Sequence, residues 1–366
     1  MDKLRIALLA PLTRPANADT RGSRPRVVYD LAKGLAKKGH QITTFGTADS
    51  DLPGELVPIA PCSVYKMPEA ENPFYQHLIY LTRMMDEMLK RQNDFDIIHS
   101  HVYPEVLPIT YDNFLKAPLL VTPHLYMYKE IIENFQNHPK TNFVAVSQNQ
   151  IDSAPGVNFK GLVYNGVDTS EYEFNENPED YLLFFGRIKE FVTINGKKVD
   201  PKGVTVAIQI AEKVGMRLKI AGNVESAEFF NREIKPHLNE KIEFVGEVDS
   251  YGPISFQQKV DLYKNAKAFL FPIQHVEAFG MTMLEAMACG TPVVGSDLGA
   301  TKEAIIDGEV GYLVKPDDID AMVEAAKNID KIDRRKCRKH VEDNFSVSKM
   351  IDGYEDIYRS IINSTN

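Results

Sequence analysis

The chain has 366 residues, 43% of them hydrophobic and 25% charged, with a formal net charge of −9. That length exceeds what one hydrophobic core usually holds, so two domains are expected. The acidic balance argues against a nucleic-acid binder, which would carry a basic face. Residues 1–170 hold 17 Lys+Arg and 18 Asp+Glu and the remainder 25 and 33, so the acidity belongs to the second half. The near-neutral first half is better suited to an anionic acceptor or to peripheral contact with a membrane. Three scattered cysteines without metal-ligand spacing fit a reduced cytoplasm. No apolar run is long enough for a signal segment or a membrane span.

Residues 4–10 are apolar on both faces, as a central parallel strand is. A loop with Arg14, Arg21, Arg24 and Arg26 follows, then a helix over 27–38 stopped by Gly39, and a strand over 41–45. This is a βαβ opening. Residues 74–91 read as a long helix rich in Met and aromatic residues, an ordinary core element, and 96–100, 119–122 and 143–147 as short strands. The polar stretch 169–180 marks the domain boundary, with Asn165-Gly-Val-Asp168 just before it. The pattern then restarts: strands over 181–186, 217–221, 242–245, 268–272, 292–295 and 311–314, and helices over 204–214, 257–265, 281–288 and 322–328. A last helix over 348–362 lies beyond the second unit's final strand and is expected to cross back to the first. The domains are therefore residues 1–168 with 348–366, and residues 169–347. The fold class is α/β: two facing Rossmann-like domains, whose ligands bind outside the carboxyl ends of the strands, in an interdomain cleft.

The run Glu277-Ala-Phe279-Gly280-Met281-Thr282-Met-Leu-Glu285, continued by Ala-Met-Ala-Cys-Gly-Thr-Pro-Val-Val, leaves a strand end and enters a helix. The backbone N–H groups of Phe279 to Thr282 lie between two carboxylates, and a helix N-terminus attracts a diphosphate. Gly280 lets the backbone approach a ligand. The carboxylates can accept hydrogen bonds from sugar hydroxyls. Two glutamates alone would more often be a dipole partner and a solvated side chain; the whole run favours function. At the end of the 181–186 strand, Gly186-Arg187 and, further on, Lys202 supply cations that can neutralise a diphosphate leaving group. A lone surface lysine is usually just solvated. The segment 189–200 between them contains Thr-Ile-Asn-Gly-Lys, a two-residue hairpin turn that would keep Lys202 in register; otherwise Lys197 or Lys198 takes its place. In the first half, His99, His101 and His124 stand at strand ends, where an isolated histidine is more often structural than catalytic.

These residues resemble the retaining glycosyltransferase family 4 of the GT-B fold over nearly the whole chain, most densely from Tyr181 to Val314. The resemblance implies that Glu277 meets hydroxyls of the donor sugar, Glu285 the ribose, and Phe279, Gly280, Met281 and Thr282 the sugar and diphosphate. It gives Arg187 and Lys202 the role that a metal plays elsewhere, so that no cofactor or metal is needed, and places His124 near the donor sugar. Gly186 and Gly246-Glu247-Val248 would line the donor site, the latter beside the nucleobase. Gly22 stands where the family has a Gly-Gly turn near the diphosphate, and here Arg21 and Arg24 flank it. Those arginines either grip an anionic acceptor, together with His101, or compensate for the missing glycine at the donor. Fifteen residues separate Arg187 from Lys202, where the family has only a few.

The implied activity is transfer of a hexose from a nucleoside diphosphate sugar, UDP-glucose or a close relative, to a small-molecule, glycan or lipid-linked acceptor. A sugar-nucleotide epimerase on the same fold and a non-catalytic sugar-nucleotide-binding protein are the alternatives. Asp94-Phe-Asp96 spells the metal motif of single-domain transferases but precedes a strand, the wrong end for a ligand, and reads as a helix-to-strand turn.

Overall fold

In a computed structural model, residues 2–20, 23–68, 70–193, 196–246 and 254–365 are described. The chain divides into two compact units, residues 1–166 with 347–366, and residues 167–346.

Unit 1 is built on seven strands: β1 (Arg5–Leu9), β2 (Gln41–Thr47), β3 (Glu55–Ala60), β4 (Ile97–Ser100), β5 (Leu119–Val121), β6 (Asn142–Ala145) and β7 (Phe159–Leu162). They lie in the order β3-β2-β1-β4-β5-β6-β7, each pair parallel. Its helices are α1 (Ser23–Lys37), α2 (Pro73–Arg91), α3 (Val106–Tyr111), α4 (Lys129–Gln136) and α5 (Gln148–Ser153). Alternation along β1 shows why the strand is apolar throughout: Ala7 and Leu9 join Met84, Met85, Met88 and Phe135 on one face. Ile6 and Leu8 join Val28, Leu31, Tyr354 and Tyr358 on the other. Both faces are covered, as a parallel sheet requires.

Unit 1 differs from the sequence-based expectation in several elements, among them the start of α1 and the strands β3 and β7. α1 begins at Ser23, not 27, because Pro25 fits the first turn of a helix, where its missing N–H goes unused. Arg24 and Arg26 are thus first-turn helix residues rather than loop residues. β3 was not expected; Pro58 weakens its signal and is tolerated because β3 is an edge strand. β7, at the other edge, is short and half-buried. Asp96 binds the guanidinium and backbone N–H of Arg5 and Asp94 pairs with Arg91, so the Asp-Phe-Asp sequence is a structural turn.

Unit 2 has six parallel strands, β8 (Tyr181–Phe185), β11 (Arg217–Ala221), β12 (Ile242–Gly246), β13 (Ala268–Phe271), β14 (Val293–Ser296) and β15 (Gly311–Val314). Their order is β12-β11-β8-β13-β14-β15. A separate antiparallel hairpin joins β9 (Phe191–Val192) to β10 (Lys198–Val199). The helices are α6 (Val204–Val214), α7 (Ala227–Phe229), α8 (Phe256–Asn265), α9 (Met281–Ala288), α10 (Thr301–Ala304), α11 (Ile319–Lys327) and α12 (Arg334–Asn344). The polar stretch 169–180 is no free linker. Buried Arg334 donates to the carbonyl of Asn175 and Arg338 to that of Tyr172, which ties the stretch to unit 2.

The last helix, α13 (Val347–Thr365), belongs to unit 1. It packs on α1, where Gly34 leaves the room that Ile351 fills. Lys38 pairs with Asp352 and Glu355, and Arg359 with Glu355. We expect Ile351→Ala to cost unit 1 about 2–5 kcal/mol, as emptied core sites do. Urea denaturation of the variant against the wild type reads this, and an unchanged midpoint would show that the α1–α13 contact contributes little.

Candidate active site

In unit 2, β13 ends at Phe271 and the chain runs through Glu277 to α9. Gly280 caps α9 in the left-handed region, with φ 100°, a conformation that other residues adopt only under strain. The amides of Met281 and Thr282 open the helix, and first-turn amides have no intrahelical acceptor. The Phe279 side chain is core, against Phe345.

Lys202 Nζ pairs with the Glu277 carboxylate. The insert does loop out: Thr193 N–H donates to the Lys197 carbonyl, closing the β9–β10 hairpin, and Lys202 follows it. Lys198 instead faces Glu190 at 3.0 Å, so it does not replace Lys202. Gly203 follows with φ 74°, and a Cβ there would run into the Pro272 carbonyl, which draws the start of α6 against the end of β13. Arg187 follows Gly186 at the end of β8; it lies 3.8 Å from Glu225, which also pairs with Lys189 at 2.8 Å. Burial and the cations of Arg187 and Lys189 push the Lys202 ammonium down to about 7. The nearby Glu225 carboxylate works against that fall. The sequence-derived Arg, Lys and first Glu thus lie on two connections of one sheet, Arg187 and Lys202 between β8 and α6 and Glu277 between β13 and α9. Lys189 and Glu225 were missed, since neither belongs to a motif.

Glu285 is differently placed. Its carboxylate accepts from Lys259 Nζ at 2.7 Å, Tyr263 OH at 3.0 Å and Tyr172 OH at 3.1 Å, and it is only 8% exposed. Lys259 is itself buried among the rings of Phe185, Phe256 and Tyr263. Burial and Glu285 raise the Tyr263 phenol, so it stays a donor. A ribose hydroxyl reaching Glu285 would join an already satisfied carboxylate. Gly246 ends β12 with its carbonyl accepting from Gly222 N–H at 3.1 Å. Glu247 and Val248 lie outside the described residues, as do Arg21 and Gly22.

In unit 1, His99 within β4 and His101 and His124 past the ends of β4 and β5 form one connected group. His99 Nδ1 meets Tyr358 OH at 2.7 Å and its Nε2 meets Thr122 Oγ1 at 2.7 Å. His101 Nδ1 meets His124 Nε2 at 2.9 Å. Burial, then the Arg24 cation, pushes His101 down to about 3, and burial with neighbouring His101 holds His124 well below its ordinary value. A general-base role for His101 would need an accessible ring; His101 is fully buried. Arg24 is not a free guanidinium awaiting an acceptor. It lies 2.9 Å from Glu105, reaches the His124 carbonyl at 3.4 Å and covers the Tyr103 ring. Arg26 pairs with Asp30, and Arg14 lies over Tyr65. Gln150, also missed, donates to the carbonyls of Pro123 and Leu125 on either side of His124.

Two doubly wound parallel units, one carrying an Arg–Lys–Glu cluster at its strand ends beside a helix start, make a GT-B fold. Residues 25–171 match the family described as Glycosyltransferase Family 4, and residues 185–344 that described as Glycosyl transferases group 1. The chain belongs to glycosyltransferase family 4. It is 25% identical to the D-inositol 3-phosphate glycosyltransferase of Pseudarthrobacter chlorophenolicus, over 85% of this chain and 83% of that one. It is 28% identical to the phosphatidyl-myo-inositol mannosyltransferase of Mycobacterium tuberculosis, over 88% of this chain and 85% of that one. Its fold is similar to that of sucrose-phosphate synthase from Thermosynechococcus elongatus (TM-score 0.77, 18% identity, 99% and 100% of the chains). It is also similar to Anabaena Alr3699/HepE in complex with UDP-glucose (TM-score 0.69, 15% identity, 98% and 100%). Among the described residues no helix is long and apolar enough to cross a membrane.

Two outcomes follow from these networks. Lys259→Ala strands the buried Glu285 charge and is expected to cost about 3–5 kcal/mol, whereas Lys259→Met with Glu285→Gln costs less. Chemical denaturation of both variants checks the order, and equal losses would contradict it. For His101 the folded value, about 3, lies below the unfolded 6.5. Its contribution is therefore intact above pH 6.5 and is lost as pH falls toward 3, because only the unfolded state takes up the proton. Stability measured from pH 7 to 4 should fall less steeply in His101→Gln, by roughly one proton's worth of slope.

Proposed function

We propose that the enzyme moves a hexose from UDP-glucose or a close relative, with retention and without a divalent metal, onto a hydroxyl of an acceptor that bears an anionic group. The observation that carries this reading is the Lys202–Glu277 pair beside Arg187. Without ligand the two charges neutralise each other. A bound donor exchanges that one ion pair for two matched contacts: Lys202 and Arg187 turn to the diphosphate, and Glu277 accepts from sugar hydroxyls. The Met281 and Thr282 amides add hydrogen bonds to the anion. As the bond from the anomeric carbon to the diphosphate oxygen breaks, the acceptor oxygen attacks the same face, and its proton passes to the departing phosphate. Glu277 and Glu285 are otherwise engaged, so no covalent sugar–carboxylate intermediate is invoked. Support for the uridine donor comes from the Anabaena neighbour, solved with UDP-glucose. Support for the acceptor comes from the relatives, whose names specify inositol 3-phosphate and phosphatidyl-myo-inositol.

Thermal shift with UDP, GDP and ADP tests the donor site. UDP at a hundredfold excess over its Kd should stabilise the fold by about 2.7 kcal/mol, and silence from all three would sink the reading. Arg187→Ala should cost about 10²–10³ in turnover with the fold intact. Activity abolished by EDTA and restored by Mg²⁺, or a β-linked product from an α-linked donor seen by NMR, would contradict the mechanism.

A further inference from the structure

The loop that follows β5 presents His124, and it is held far more firmly than a surface loop needs to be. Arg24 Nη2 donates to the His124 carbonyl at 3.4 Å. Arg24 and Glu105 are joined to each other at 2.9 Å with side-chain exposures of 16% and 2%. Through its guanidinium the ion pair thereby holds the backbone carbonyl of His124. Its two halves come from different elements, the first turn of α1 and the start of α3.

The ring is held as well. His101 Nδ1 lies 2.9 Å from His124 Nε2, and the two rings stack with centroids 5.2 Å apart. His101 Nε2 is buried without a hydrogen-bond partner. A buried orphan N–H is rarer in proteins than a buried orphan lone pair. The proton of neutral His101 therefore sits on Nδ1 and is donated to His124 Nε2. Neutral His124 then carries its own proton on Nδ1, the nitrogen that can point to a ligand. His101 is itself packed at 4.1 Å on His99, which Tyr358 and Thr122 fix.

We propose that Arg24, Glu105 and His101 are positioning residues for His124: the ion pair sets its backbone, and His101 fixes its ring as a hydrogen-bond donor through Nδ1. This rests on the reading that His124 serves the transferred sugar. It removes Arg24 and His101 from the acceptor-binding set and leaves His124 as a neutral donor to a sugar oxygen rather than a general base. Both contacts are made by Arg24 Nη2, which stands one atom further along the side chain than a lysine Nζ, so Lys would fall short of them.

The test uses the full chain, with UDP-glucose hydrolysis as the readout and UDP affinity measured by calorimetry. His124→Ala, Arg24→Lys and Glu105→Gln, all folded by circular dichroism, should each lower turnover by about tenfold or more and leave the Kd for UDP within about twofold. The double variant Arg24→Lys/His124→Ala should be no slower than His124→Ala alone, because residues acting through one group are not additive. Effects that multiply in the double variant would overturn the proposal, as would an Arg24→Lys enzyme of wild-type rate. Should His124→Ala itself turn over normally, the reading of His124 falls instead. A second measurement stands apart from activity. The ¹⁵N shifts of labelled histidine should show His124 protonated on Nδ1 in the wild type and mixed between tautomers in His101→Phe. Nε2 protonation in the wild type would refute the assignment.

Discussion

In a parallel sheet every strand ends at the same edge, and that constraint decides where chemistry can collect in this chain. The carboxyl ends of β8 and β13 deliver Gly186-Arg187 and the Glu277 loop to one side of unit 2, and Gly203 brings Lys202 against the β13 end. In unit 1 the ends of β4 and β5 deliver His101 and His124 in the same way. The opposite edge holds turns such as Asp94–Asp96, whose carboxylates are used up in local pairing. Ligand groups are polar and strand interiors are not, so the edge is the only place where polar side chains can gather without burying an unmet charge.

Where charges are buried, they come in closed sets. Lys259 and Glu285 sit at the centre of one, and two tyrosine hydroxyls complete the carboxylate's coordination. Such a set contributes little net stability compared with an apolar replacement, but it penalises any arrangement in which one member strays. Glu285 is thereby fixed relative to the rings around Lys259 rather than free to follow a ligand. Glu277, paired with Lys202 and partly exposed, is the opposite case. Its partner can change, which is what a residue that meets substrate requires. The two glutamates of one motif thus differ in kind: one is a fixed post and the other a movable contact.

What was legible in the sequence was local. The restart of the strand–helix pattern after residue 180, the Glu277–Glu285 run and the hairpin of β9 and β10 all depend on neighbours within about one turn or one strand. What was not legible was remote. Glu285 finds Tyr172 113 positions away. Arg24 finds the His124 carbonyl 100 positions away, and so it looked like a free cation for an acceptor. The edge strand β3 was hidden by Pro58, which a central strand would exclude but an edge tolerates. A proline likewise hid the start of α1, because Pro25 looks like a breaker and acts as a first-turn residue.

The return of α13 to unit 1 has a consequence for how the protein is made. His99 finds its hydroxyl partner Tyr358 259 positions later, and Tyr354, Tyr358 and Met350 complete the face of the sheet that α1 covers. When residue 166 leaves the ribosome, the first Rossmann-like unit lacks this covering and presents bare apolar surface. Unit 2 is contiguous and can close on its own. At the usual pace of translation, about 5–20 residues per second, the first unit waits roughly ten to forty seconds for its last helix. Through that interval the uncovered sheet face is apolar surface of the kind that chaperones shield.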